Sequence, residues 1–245
     1  MPPRDVAAPP SEAVRLIQQA QAERRHLLEP EAYRLLEAYD LPVPRHRFVR
    51  EAGEAAAAAE AIGFPVALKV VSPEIIHKSE AGGVRLDLGE PAAVRAAFEE
   101  VRASARQARP DARLPGALVV EMARPGTEVI VGMTRDLQFG PTVMFGLGGI
   151  FVEAYRDVVF RIVPLADRDA QEMIREVKGL PLLTGFRGRP PGDLGAIARI
   201  LLRVSRMAEE LPEIAEVDLN PIAIYERGGL LLDARILLHL EETPT

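Results

Sequence analysis

Only three of the 30 basic residues are lysines, and two of these, Lys69 and Lys78, fall within residues 66–83. Lys69 interrupts the apolar run Val66-Ala67-Leu68-Lys69-Val70-Val71. Withdrawing an unpaired ammonium from water costs on the order of several kcal/mol, so an anion should face it. A structural salt bridge would meet that demand, as would a ligand phosphate held against the sheet; on an edge strand the side chain could instead snorkel to water. Residues 72–83 then gather His77, Lys78, the hydroxyls of Ser72 and Ser79, the acids Glu74 and Glu80, and the pair Gly82-Gly83. Such a loop can approach phosphates with backbone N–H groups while Lys78 adds charge. That makes Lys78, Gly82 and Gly83 candidate ligand-binding residues, and His77 either a reacting imidazole or an ordinary loop histidine.

Asp218 and Asn220 share one strand face by period-two alternation. A turn near Arg227-Gly228 would bring Asp233 to that face beside Asn220. An Asn and an Asp side by side offer hard oxygens that suit Mg²⁺, which takes one or two protein oxygens and otherwise water and phosphate. Polar residues on a half-exposed sheet are the plainer reading, but Asp233 lies inside Leu230-Leu231-Leu232-Asp233-Ala234, whose neighbours imply burial. Glu121 and Glu128 flank the turn Arg124-Pro125-Gly126, as either a surface hairpin or carboxylates placed to meet ribose hydroxyls. The cluster Gly146-Leu147-Gly148-Gly149 with Glu153 and Asp157 is ambiguous, since most Gly-Gly pairs are turns. The four histidines, His26, His46, His77 and His239, show no metal-ligand spacing.

These residues need a scaffold, and 245 residues with 48% apolar and 27% charged content suffice for one large domain or two subdomains sharing a cleft. A net charge of −6 argues against a nucleic-acid binder working through a basic face. The absence of cysteine excludes disulfides, thiolate metal sites and cysteine nucleophiles. No run of 18 apolar residues occurs, so neither membrane insertion nor secretion is expected, and a cytoplasmic location is. Residues 1–10 read as a tail. Helices are expected over 11–28 with Ser11 as cap, from Pro30 to Tyr39, and over 54–62, 91–106, 167–179 with Asp167 as cap, and 194–210. Strands are expected over 66–71, 84–88, 117–121, 128–134, 142–145, 158–163, 214–224 and 230–236. Several strands join by tight turns, so the class is α/β with mixed α+β sheets and not a doubly wound parallel sheet.

In order, the chain offers a lysine strand, a His-Lys-Gly-Gly loop, two glutamates, a glycine-rich turn, and an Asp-x-Asn-Pro strand paired with Asp-Ala-Arg. From about His26 to Leu238 this resembles the ATP-grasp β subunit of the ADP-forming acyl-CoA synthetases (acetate–CoA ligase, ADP-forming), relatives of succinyl-CoA synthetase. The segments that carry the resemblance are LLEPEAYRLL, GFPVALKVVSPEIIHKSEAGGV, MTRDLQFGPTVMFGLGGIFVEAYRDV, EVDLNPI and LLDARI. Glu80 stands where the family more usually has Asp.

The resemblance implies an ATP-grasp fold of two subdomains with the nucleotide between them. A small lid would span 44–120, and a larger subdomain 11–43 with 121–245. It further implies that Lys69 holds the α/β phosphates, Glu121 and the backbone near Ala123 meet adenine, and Glu128 meets the ribose. Asn220 and Asp233 would hold Mg²⁺, Asp218 would orient a phosphohistidine, and His77 would be a candidate phosphoryl relay. The implied reaction is acyl-CoA + ADP + Pi ⇌ carboxylic acid + CoA + ATP. The implied partner is a CoA-binding α subunit with its own phosphorylated histidine, in a hetero-oligomer, with no role for nucleic acid or membrane. Two rival expectations are another ATP-grasp carboxylate ligase and a nucleotide-binding regulatory module without catalysis.

Overall fold

A computed structural model describes residues 8–136, 138–148, 157–188 and 190–240. The expected tail therefore lies, up to residue 7, outside the described residues, as do Gly149 and Glu153. The helices are α1 Ser11–Ala22, α2 Glu29–Ala38, α3 Ala52–Ile62, α4 Pro91–Ala108, α5 Asp167–Glu176, α6 Leu180–Leu183 and α7 Leu194–Glu210. The strands are β1 His46–Val49, β2 Val66–Val71, β3 Val84–Leu88, β4 Gly116–Glu121, β5 Thr127–Asp136, β6 Gly140–Leu147, β7 Val158–Ile162, β8 Ile214–Ile224, β9 Gly229–Leu231 and β10 Ala234–Leu238. All their pairings are antiparallel. The chain forms two compact units, one of Leu28–Pro30 with Pro44–Arg124, the other of Met1–Leu27, Glu31–Val43 and Pro125–Thr245.

The smaller unit is a four-stranded sheet in the order β1-β4-β2-β3 with α3 and α4 on one face. The alternation along β2 sends Val66, Leu68 and Val70 into the core shared with those helices, together with Val49, Ala59, Phe98 and Val119. Helix α4 contributes Val94, Ala97, Phe98, Val101 and Ala105, all buried and on the face that the helical spacing predicts. Lys69 consequently points to the opposite face of an interior strand, so it is no edge lysine. Strand β1 has no counterpart in the sequence reading: His46-Arg47-Phe48-Val49 lacks a clean alternation and follows two prolines.

The larger unit is built on a sheet in the order β10-β8-β5-β6-β7, with β9 also pairing β8. Helix α7 runs over Leu194–Glu210 as expected and buries Ala196, Ile197, Ile200, Leu201, Val204, Met207 and Ala208. Its cap, Asp193, accepts the Ala196 N–H at 2.8 Å and also the Gly228 N–H at 2.8 Å, tying the β8–β9 turn to the start of the helix. Tyr39 anchors α2 by donating to the buried Glu210 carboxylate at 2.9 Å, which also takes Arg206 at 2.7 Å. Burial and this bond push the Tyr39 hydroxyl pKa far up.

Several boundaries differ from expectation, each for a local reason. Helix α1 stops at Ala22 and not near residue 28: Arg24 turns left-handed (φ 50°), and the Arg25 N–H reaches back to the Ala20 carbonyl, a Schellman closure. Ser11 is its first residue and Pro10 its cap. Helix α5 is capped at Ala166, whose N–H donates to Asp169 at 2.7 Å, so Asp167 is not the cap. It ends at Glu176 because the Asp157 carboxylate takes the Lys178 and Gly179 N–H groups at 2.9 and 2.8 Å. The turn at Arg124-Pro125-Gly126 closes no hairpin: β4 pairs with β1 and β2, and β5 with β6 and β8.

Candidate functional site

In the smaller unit, Lys69 faces a protein carboxylate. Glu29, the first residue of α2, puts one oxygen 2.6 Å from the Lys69 ammonium and the other 2.8 Å from that of Lys78. Its side chain is 2% exposed, against 10% for Lys69 and 15% for Lys78, so the carboxylate is the most buried member of the group. Of the readings open for Lys69, the structure supplies the salt bridge; a phosphate would have to share the lysine with Glu29. Sequence reasoning missed Glu29, whose only local signal was its place before Pro30 at a helix start.

The loop that carries Lys78 is folded on itself. Gly82 N–H donates to the Ser79 carbonyl at 3.1 Å, Gly83 N–H to the Lys78 carbonyl at 2.7 Å, and Ala81 N–H to the His77 carbonyl at 3.3 Å. The two glycine N–H groups expected to meet phosphate donate here to carbonyls of the loop itself. Glycine is needed here for shape: Gly82 has φ +64°, and a Cβ on Gly83 would sit 2.4 Å from the Val70 side chain. Buried Ile75 and the Glu74–Arg113 pair at 2.8 Å fasten the start of the loop, while His77 and Glu80 are exposed. At the end of β4, Glu121 accepts Arg45 Nε at 2.6 Å, and the Met122 N–H donates to the Pro65 carbonyl. Ala123 follows, half-buried.

In the larger unit the register decides the second cluster. Leu219 pairs with Ala234 on β10 and Ile222 with Leu231 on β9. Asn220 therefore lies directly opposite Asp233, and Pro221 opposite Leu232. Pro221 has no N–H for the ladder, so the partner strand breaks at Leu232–Asp233, where Leu232 N–H still donates to the Pro221 carbonyl at 2.9 Å. The expected strand 230–236 is two strands for this reason. Neighbours across that break, Asn220 and Asp233 bring together two hard oxygen donors of the kind that suits a magnesium ion. Among the described residues no three or more His, Cys, Asp or Glu side chains are grouped to hold a metal.

Asp218 lies opposite Arg235, which also pairs with Glu216 at 2.7 Å and reaches Asp218 at 3.5 Å. Burial raises the Asp218 carboxyl pKa; Arg235 opposes this, while Glu216 and Asp233 add to it. His26 accepts the Leu238 N–H at 3.1 Å through Nδ1, and burial followed by Arg235 lowers its pKa. Arg235 and Glu216 were not singled out in the sequence; their signal was the same period-two face as Asp218. Glu128 is exposed near the start of β5, and its carbonyl accepts the Gly148 N–H at 2.8 Å. No helix among the described residues is long and apolar enough to cross a membrane.

Comparison with known proteins places this geometry. A family model, the ATP-grasp domain, matches residues 18–238. The β subunit of acetate–CoA ligase [ADP-forming] I from Pyrococcus furiosus is 49% identical over 228 residues, 93% of this chain and 98% of the relative. Acetate–CoA ligase [ADP-forming] I from Archaeoglobus fulgidus is 44% identical over 96% of this chain, which spans only 34% of that longer protein. Among solved structures, the dinucleotide forming acetyl-coenzyme A synthetase 1 of Ca. Korarchaeum cryptofilum with coenzyme A and Ca-AMPCP is 47% identical. It superposes with a TM-score of 0.90 over 94% of this chain and 100% of that one. Another structure of that enzyme, TM-score 0.82 and 46% identity over 93% of this chain and all of that one, holds coenzyme A and Mg-AMPPCP, with a phosphohistidine segment pointing towards the nucleotide binding site.

Proposed function

The chain belongs to the ATP-grasp family, among the β subunits of the ADP-forming acetate–CoA ligases, and we propose that it works as the nucleotide-binding subunit of an ADP-forming acyl-CoA synthetase. With a separate CoA-binding subunit it catalyses acyl-CoA + ADP + Pi ⇌ carboxylic acid + CoA + ATP. The observation that carries the reading is the pair of lysines, Lys69 and Lys78, built into the smaller unit on one buried carboxylate beside the His77 loop. The longer Archaeoglobus relative supports the division of labour, since this chain corresponds to 34% of it and the rest is free to supply acyl-CoA binding. A cytoplasmic location goes with such substrates.

Within that reading, Lys69 and Lys78 bind the phosphates of ADP or ATP, and Gly82 and Gly83 shape the loop that presents Lys78. Glu121 and the Ala123 backbone meet the adenine, and Glu128 the ribose. Asn220 and Asp233 would hold Mg²⁺, which when bound neutralises phosphate charge in transfer. On the partner, an oxygen of Pi attacks the thioester carbonyl and the CoA thiolate leaves, giving an acyl phosphate; its phosphoryl group then passes to an imidazole nitrogen of the partner's histidine, releasing the carboxylate. That N–P bond breaks as the His77 imidazole takes the group, and the new N–P bond breaks in turn as an oxygen of the ADP β-phosphate takes it, giving ATP and two free imidazoles. Asp218 accepts a hydrogen bond from the second imidazole nitrogen and so orients the ring. His77, exposed on its loop, is the candidate for an intermediate relay.

The test is labelling with γ-labelled ATP in the presence of the CoA-binding partner. Acid-labile, alkali-stable label is expected, and the His77→Ala variant should bind ADP yet fail to form ATP from acyl-CoA. Absence of acid-labile label with the complete complex, or no nucleotide binding by the chain, would overturn the function. ATP synthesis by the variant at the wild-type rate would remove the relay alone.

A further inference from the structure

We propose that Glu29 is an internal competitor for the nucleotide's phosphates, the residue that keeps Lys69 and Lys78 in place when the site is empty and sets how tightly nucleotide is held. The inference rests on the nucleotide-binding reading given above and deepens it.

One oxygen of the Glu29 carboxylate accepts a hydrogen bond from the Lys69 ammonium at 2.6 Å, and the other forms an ion pair with that of Lys78 at 2.8 Å without hydrogen-bond geometry. Lys69 comes from an interior strand and Lys78 from the loop beyond it, so one carboxylate joins the two elements. Without an anion, two ammonium groups gathered at one buried place would repel each other, and their long side chains would swing towards water. Glu29 prevents both. Its side chain is less exposed than either lysine's, so solvent reaches the lysines more readily than the carboxylate.

The same charge has a cost for binding. A phosphate that meets these lysines also meets the negative charge of Glu29, which lies 2.6 and 2.8 Å from their ammonium groups in a place poorly screened by water. Glu29 thereby weakens a site that two lysines alone would make tight. For a subunit that must bind ADP and release ATP at each turnover, an internal anion of this kind favours release. A carboxylate present only to neutralise a buried lysine would stabilise the fold and leave nucleotide affinity unchanged.

The experiment compares the full wild-type chain with Glu29→Gln, which keeps the shape and removes the charge. ADP affinity is measured calorimetrically and the thermal midpoint with and without ADP. The variant should melt lower than wild type without nucleotide, bind ADP about tenfold more tightly, and gain more from ADP in its midpoint. Equal affinity in the two proteins would make Glu29 structural only, and weaker binding would make it a scaffold with no competing effect; either result overturns the proposal. Should the variant fail to fold, the comparison is repeated between Lys78→Met and the double variant Glu29→Gln/Lys78→Met, where the same tightening is expected through Lys69. A wild-type chain that binds no ADP would instead refute the nucleotide reading, so the two failures are distinguishable.

Discussion

Replacing Lys69 by methionine should destabilise the chain as well as impair nucleotide binding, because the partner of this lysine is part of the protein. Methionine preserves most of the side-chain volume on the buried strand, so the main loss is the ion pair. Leaving a buried charge without its partner costs about 3–5 kcal/mol, and the discount for surface pairs does not apply to side chains 10% and 2% exposed. Lys78 remains on the other oxygen of Glu29 at 2.8 Å and offsets part of the loss. The expected cost therefore falls below that range, at about 2–3 kcal/mol, a fall of roughly 5–10 °C in thermal midpoint for a chain of this size. Urea unfolding of wild type, Lys69→Met, Glu29→Gln and the double variant gives the coupling directly. The double variant should be more stable than the sum of the single losses predicts, by at least about 1 kcal/mol. Additive losses would show that the two side chains do not stabilise each other, and the account of Lys69 would fall.

Three further outcomes follow from the geometry. Gly83→Ala should cost about 1–3 kcal/mol and weaken ADP binding, since its Cβ would meet Val70 at 2.4 Å; Gly89→Ala, with open space around it, is the control, and equal effects in both would refute the argument. Asp193→Ala should cost about 1 kcal/mol near neutral pH, the worth of a helix cap. The N–H groups of Gly228 and Ala196 and the Arg199 guanidinium hold this carboxyl below the usual aspartate range. Its contribution is therefore fully present above the unfolded value of about 4 and is lost as pH falls through the lower folded value. The gap between wild-type and variant midpoints should close in acid, and a gap constant with pH would count against it. Asn220→Ala and Asp233→Ala should each abolish Mg²⁺-dependent phosphoryl transfer in the complex while nucleotide affinity without metal falls less; unchanged Mg²⁺ dependence in both removes this hairpin from the site.

What the sequence determined by itself was everything carried by a short period. The buried face of α4 and both ends of α7 were legible because an apolar stripe at helical spacing needs no distant partner to be recognised. Asn220 and Asp233 were legible as neighbours because a tight turn and a period of two leave little freedom in the register. The resemblance to the ATP-grasp β subunits rested on such local strings, and the family match over residues 18–238 bears it out. Where a backbone broke its pattern, local spacing failed: α1 ended early through a left-handed arginine, which no propensity favours.

Only the tertiary structure decided which groups answer one another across the chain. The apolar run around Lys69 required an anion, but nothing near it in sequence said that the anion would be Glu29, 40 residues away. The glycines of the His-Lys loop looked ready to donate to a phosphate, and folding gave their N–H groups to the loop's own carbonyls. Strands β4 and β5, separated by one turn, went to different sheets, β4 pairing with β1 and β2 and β5 with β6 and β8. The physical reason is the same in each case. A period reports the demand that burial places on one element, whereas the group that satisfies a buried charge or an N–H is chosen by packing between elements, and packing has no signature in local spacing.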